Sequence, residues 1–144
     1  MKKRGRKTVK KTVAKAIFLK RKGQEYLICL EKRRHDETNY AGVWGLPQGH
    51  KKKSENIIKT LKREMLEELA VRVISYKKLG VFRDTDFTSK HHYTHHVFVC
   101  FEWAGLIAHT FEQELIAWVP LKEAFNFNLP EVDKKILHKL VKME

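Results

Sequence analysis

The segment from Glu55 to Leu69 constrains this chain more than any other. Ile58, Leu61, Met65 and Leu69 recur at three- and four-residue spacing, with Ile57 beside them, which predicts an amphipathic helix with one buried stripe. Ser54 stands where a cap would start that helix near Glu55. Helical geometry also gathers Glu64, Glu67 and Glu68, at i, i+3 and i+4, on one face opposite the stripe. Like charges at that spacing destabilise an isolated helix by roughly 0.2–0.5 kcal/mol per pair. A solvated acidic face is the plain explanation of three such glutamates. The other is a cation bound among them, which turns the repulsion into binding. Hard oxygen ligands select Mg²⁺ or Mn²⁺ over zinc. Mg²⁺ usually takes one or two carboxylates plus substrate phosphates, so this explanation points to metal-assisted phosphate chemistry.

A helix with one apolar face needs a sheet or another helix to cover it. Val13 to Leu19 and Glu25 to Leu30 read as two strands around a turn at Arg21-Lys22-Gly23. Glu31 to Gly42 reads as a polar loop, and Trp44 to Gly49 as a short extended piece. Val71 to Phe87 reads as mostly strand with a charged turn at Arg83-Asp84-Thr85-Asp86, and Tyr93 to Trp103 as a central strand. Ala117 to Pro120 is a short strand. Leu121 to Ala124 and Pro130 to Lys142 read as helical, with Pro130 in a first-turn position. The expected class is α/β.

The 144 residues suit one domain and can bury a core without covalent staples. Hydrophobic residues make up 42% of the chain, too many for a disordered one, and no apolar run is long enough to span a membrane. Cys29 and Cys100 lie in apolar, strand-like runs and read as reduced core residues of a cytoplasmic protein. The net charge is +13, and seven cations fall in residues 1–11 with no acid among them. Residues 1–11 are thus expected to form a basic, flexible arm, and residues 12–144 the single domain. Such an arm suits a polyanion such as RNA, or serves only solubility. A basic body also favours encounter with a small, highly phosphorylated substrate.

The spacing around the helix carries a resemblance. Gly49 is followed by five residues and Glu55, then by seven residues and Arg63-Glu64. Met65, one residue, Glu67-Glu68, one residue, Ala70 and Val71 complete the pattern. This resembles the signature box of the Nudix hydrolases, with Ala70 where the family usually has Gly. That Gly ends the helix in a left-handed turn, which costs Ala about 1 kcal/mol, so a different helix end is expected here. Trp44-Gly45-Leu46-Pro47-Gln48-Gly49 is similar to the segment leading into the box. Glu112 to Leu121 is similar to the acidic loop and Trp-containing strand of MutT-like members. The resemblance implies an α/β/α sandwich, a mixed β-sheet between helices.

It also implies roles. Glu64, Glu67 and Glu68, with the backbone carbonyl of Gln48, would hold Mg²⁺ or Mn²⁺. Arg63 and Glu55 would hold the carboxylates in place around Gly49. Water would then attack phosphorus in a pyrophosphate bond. Glu112 is the favoured general base and a further metal ligand, with Glu114 and Glu64 as competitors. Glu114 is also a candidate for substrate contact. Lys51, Lys52 and Lys53 lie in the loop after Gly49, and Lys51 is the candidate for substrate phosphates. Phe125 and Phe127 are candidates to stack a nucleobase, with Asn126 or Asn128 reading its edge; both rings could equally be core. Many family members form homodimers.

His91, His92, His95 and His96 enter a strand, so alternate rings face opposite sides and do not converge simply on one ion. One or two facing the cleft is the alternative to plain surface or core positions. Markers of substrate subfamilies are missing. Phe87-Thr88-Ser89 holds neither the proline associated with ADP-ribose nor the tyrosine associated with dinucleoside polyphosphates, and Tyr93 lies further on. The default implied is a MutT-like nucleoside triphosphate pyrophosphohydrolase. The alternative, suggested by Pro47-Gln48-Gly49 and the basic arm, is a dinucleoside polyphosphate or RNA 5′-pyrophosphohydrolase. A non-catalytic RNA-binding module would be expected to have lost box glutamates, and this chain keeps all four.

Overall fold

The computed structural model describes residues 9–33, 43–86, 90–107 and 113–143, with the backbone alone at 33, 113 and 114. Seven strands and two α-helices follow in the order β1 (Lys10–Lys22), β2 (Glu25–Arg33), β3 (Trp44–Gly45), β4 (Gln48–His50), α1 (Ile57–Leu69), β5 (Arg72–Asp86), β6 (His91–Ala104), β7 (Gln113–Pro120) and α2 (Glu131–Lys142). A 3₁₀ turn, Leu121–Asn126, links β7 to α2. The sheet runs β3-β2-β1-β6-β5, with β4 added on β1 and β7 on β2. β1 and β6 are parallel, and every other pair is antiparallel, so the sheet is mixed.

Alternation along β1 divides two cores. Ala14, Ala16 and Phe18 face α1 and pack with Leu61, Met65 and Leu69. Ile17 faces the other way and packs with Val132, Ile136, Leu137 and Leu140 of α2. The α/β/α layering is the one expected. Cys29 and Cys100 are free and buried, and burial pushes the Cys100 thiol up to about 12. Among the described residues no helix is long and apolar enough to cross a membrane.

Several local expectations are corrected. β2 continues through Glu31–Arg33, because β3 and β7 both pair with that stretch. Arg83–Asp86 is not a turn: β6 residues His91–Thr94 hold it in a long hairpin. β1 takes in Lys10 and Lys11, and residues 1–8 lie outside the described residues. Asn56, not Ser54, caps α1, its Oδ1 accepting from Lys59 N at 2.8 Å. Pro130 is the cap of α2 rather than its first residue.

The end of α1 is also a correction. Ala70 adopts φ 60°, ψ 34°, and its N–H donates to the carbonyls of Leu66 and Met65. The chain therefore makes the left-handed turn that glycine favours, with an alanine in it. Gly105 accommodates the result, since a Cβ there would stand 3.0 Å from Ala70 O. Ala70→Gly should raise stability by roughly 0.5–1 kcal/mol, read from the urea midpoint at unchanged slope. A lower midpoint would mean that the turn costs alanine nothing here.

Candidate active site

The site forms where β4 leaves the sheet and α1 crosses it. β4 pairs with β1 so that Ala14 lies opposite Gly49 and Lys15 opposite Gln48. Ala16 N donates to Pro47 O at 2.9 Å, which holds the approach to β4 against β1. Gly49 then lies directly beneath α1. A Cβ on Gly49 would stand 2.1 Å from the Glu64 side chain, so only glycine lets that carboxylate occupy its place.

Arg63 organises the acids. Its guanidinium has five N–H donors, and each finds an acceptor here. Nε and Nη2 form a fork on Glu55, at 2.5 Å to Oε2 and 3.0 Å to Oε1. Nη1 reaches Glu64 Oε2 at 2.6 Å and Glu67 Oε1 at 3.1 Å. Nη2 also donates to His50 O at 3.0 Å. One cation thus offsets the repulsion among three carboxylates and ties the helix to the end of β4.

Glu55 is the best-held of the acids. Its Oε1 also accepts from Lys52 N at 3.0 Å and Thr60 Oγ1 at 2.9 Å. The Arg63 hydrogen bonds hold its carboxyl well below the usual carboxylate range, against the opposing effect of burial. In return Glu55 pushes the Arg63 guanidinium up.

The three box glutamates of α1 are not equivalent. Glu67 is 54% exposed, Glu64 is mostly covered, and Glu68 is buried. Glu68 is therefore not opposite the apolar stripe, as the i, i+3, i+4 pattern suggested. It falls seven residues after Leu61 and three after Met65, at the edge of the stripe itself. Among the described residues no three acidic, histidine or cysteine side chains are placed to hold a metal ion together as they stand. The donor set nonetheless suits a hard dication: carboxylate oxygens on successive turns, with a glycine pressed against one of them.

Other predicted residues are spread around this hub. Lys51 lies at its edge, with Nζ donating to Lys52 O at 3.3 Å. Phe127 packs edge-on against Trp44, 5.2 Å between rings, and Asn128 O accepts from Trp44 N at 3.1 Å. Phe125 packs 4.6 Å from the His138 ring. Both phenylalanines lie against the α2-side core. Glu114 is placed by its backbone in β7, and Glu112 lies outside the described residues.

The four histidines go separate ways. His95 is buried, and its Nε2 donates to Asp84 Oδ1 at 2.8 Å while Nδ1 finds no partner. Burial first, then Lys15, push its pKa down against the opposing effect of Asp84. His96 Nδ1 lies 2.9 Å from Lys78 Nζ, which donates to it, and His92 Nδ1 lies 3.0 Å from Thr85 Oγ1.

Two supporting residues escaped the sequence reading. Lys15, in the central strand, and Asp133, on α2, are both buried and paired with each other. Asp133 Oδ2 also accepts from Leu46 N at 2.9 Å. The signal was present: each is a charge within an apolar pattern, and Asp133 sits among Val132, Ile136, Leu137 and Leu140.

The Glu55 environment makes a prediction. A carboxyl with a depressed folded pKa stabilises the protein above its unfolded value, about 4.3, and that contribution fades as pH falls toward the folded value. Glu55→Gln should lower the melting temperature at pH 7. The gap to wild type should close as pH falls below about 4. A gap that stays constant with pH would show that the loss is one of shape and not of charge.

The NUDIX domain family matches residues 10–140. An 8-oxo-dGTP diphosphatase of Buchnera aphidicola subsp. Schizaphis graminum is 31% identical over 101 residues, covering 70% of this chain and 74% of that protein. A MutT protein from Methanosarcina mazei Go1 has a similar structure, with TM-score 0.82 at 18% identity over 94% of this chain and 96% of that one. So does a MutT NUDIX hydrolase from Burkholderia pseudomallei, with TM-score 0.75 at 23% identity over 90% and 97%. The family match takes in the strand, loop and helix that build the Arg63 hub, and this chain therefore belongs to the Nudix hydrolases.

Proposed function

We propose that this protein is a MutT-like pyrophosphohydrolase that converts a nucleoside triphosphate to the monophosphate and pyrophosphate. The observation that carries the reading is the carboxylate hub: Glu64 held against Gly49, with Glu55 and Glu67, by one arginine. The likeness to the Buchnera 8-oxo-dGTP diphosphatase supports a nucleoside triphosphate, including an oxidised one, as substrate.

In this reading Glu64, Glu67, Glu68 and the Gln48 carbonyl hold Mg²⁺ or Mn²⁺, which when bound offsets phosphate charge and polarises the bond to be broken. Glu64 and Glu67, which here accept from Arg63, would turn their oxygens to the cation. Glu55 keeps Arg63 in place during that exchange, because its fork does not depend on the other two acids. Lys51 meets substrate phosphates from the loop, and Phe127 and Asn128 are the candidates to meet a base. Glu112 takes the proton from the attacking water, with Glu114 and Glu64 as competitors for that role.

A second reading, a dinucleoside polyphosphate or RNA 5′-pyrophosphohydrolase, is favoured by Pro47-Gln48-Gly49 and by the charge of +13. Pyrophosphate and phosphate release should be measured with Mg²⁺ or Mn²⁺ on nucleoside triphosphates, oxidised triphosphates, dinucleoside polyphosphates and 5′-triphosphate RNA. Turnover of the triphosphates, lost by at least 100-fold in Glu67→Gln with the fold intact, is the expected result (on the order of 3 kcal/mol in the barrier). Unchanged turnover in that variant would refute the metal-site assignment. Gly49→Ala should also lower turnover more than tenfold, because its Cβ displaces Glu64.

A further inference from the structure

Beside the hub lies a surface cavity of about 330 Å³, lined by Lys10, Lys11, Thr12, His50 and Lys51. Three of these five residues are lysines, and no acidic residue lines the cavity. Lys51 N donates to Thr12 O at 2.8 Å, joining the end of β4 to the start of β1. The same junction is tied to the glutamates, since Arg63 donates to His50 O. Among the described residues neither Lys10 nor Lys11 has an ion pair. Their charge is therefore available to a ligand.

Rings stand next to these cations. Tyr93, opposite Lys11 in the β1–β6 register, lies 6.3 Å from the His50 ring and 6.4 Å from the His91 ring. His50 is exposed, and Tyr93 and His91 are half-buried. Cations beside planar rings are what single-stranded nucleic acid uses, phosphates on the former and bases on the latter. In sequence, Lys2, Lys3, Arg4, Arg6 and Lys7 precede this cavity with no acid among them.

We propose that the cavity binds backbone phosphates of single-stranded nucleic acid, whose terminal phosphates point toward the α1 glutamates. Only that direction rests on the hydrolase reading; the binding itself does not. The test uses the full-length protein and a fluorescein-labelled single-stranded RNA of about twelve nucleotides without terminal phosphates. Anisotropy gives Kd from about 50 to 200 mM salt. In Lys10→Gln/Lys11→Gln the affinity at low salt should fall roughly tenfold. The slope of log Kd against log salt should become shallower by about 1.4, close to 0.7 for each phosphate that a lysine no longer neutralises. Lys10→Arg/Lys11→Arg should retain the affinity.

Unchanged RNA affinity and slope in the glutamine variant would overturn the proposal. So would a loss of nucleoside triphosphate turnover as large as the loss of RNA binding, because the cavity would then serve the nucleotide's own phosphates. At least a fivefold excess of the RNA effect supports it. Wild-type protein that binds RNA by these lysines but hydrolyses none of the phosphate substrates would refute the hydrolase reading and support the cavity.

Discussion

The buried pair of Lys15 and Asp133 is the interaction on which the rest of the site depends. It joins the central strand to the last helix, residues 118 positions apart, and both charges are almost completely buried. Removing one partner of such a pair costs about 3–5 kcal/mol, because the other is left uncompensated in the interior. The second oxygen of Asp133 accepts from Leu46 N. Gly45 permits this approach, since a Cβ there would stand 3.0 Å from that oxygen. The short connection from β3 to β4 is therefore pinned from the α2 side. Its Pro47 carbonyl is held by Ala16 N, and β4 falls into register with β1. Gly49 then comes to rest beneath Glu64 on the opposite face. An ion pair in one layer thus places a backbone segment that the other layer uses.

The acidic hub follows the same logic at shorter range. Three carboxylates repel one another, and α1 would be weakened by them without a counter-charge. Arg63 supplies it with a planar fork, which a lysine could not reproduce. Its fork on Glu55 and its bond to the His50 carbonyl hold the guanidinium in place independently of Glu64 and Glu67. Glu64 and Glu67 share the remaining nitrogen, Nη1. This acid cluster sits in a strongly basic chain, where the long-range field attracts polyanions while the local site is suited to a cation.

Much of this was readable from the residues. The α1 stripe, the box from Gly49 to Val71 and the apolar strand Tyr93 to Trp103 each carry a strong local pattern. Local pattern failed where pairing came from far away. Glu31–Arg33 and Arg83–Asp86 are polar enough to read as loop or turn, but neighbouring strands supply partners for their backbones. Ala70 shows the converse limit. Its side chain disfavours a left-handed conformation, yet the Leu66 and Met65 carbonyls at the helix end hold it there. Glu68 is buried and Glu67 exposed because Glu68 falls at the edge of the stripe that packs on the sheet.

The sequence alone thus determined the helix, the strand periodicities, the α/β class and the identity of the charged groups, because each depends on spacing within a few residues. Tertiary structure decided which acids share Arg63, which glutamate is buried, and why glycine is required at position 49. It also turned two isolated charges, Lys15 and Asp133, into a pair. Those outcomes depend on distances between segments far apart in the chain. Such distances are set by the packing of both cores against the sheet, and no local pattern encodes them.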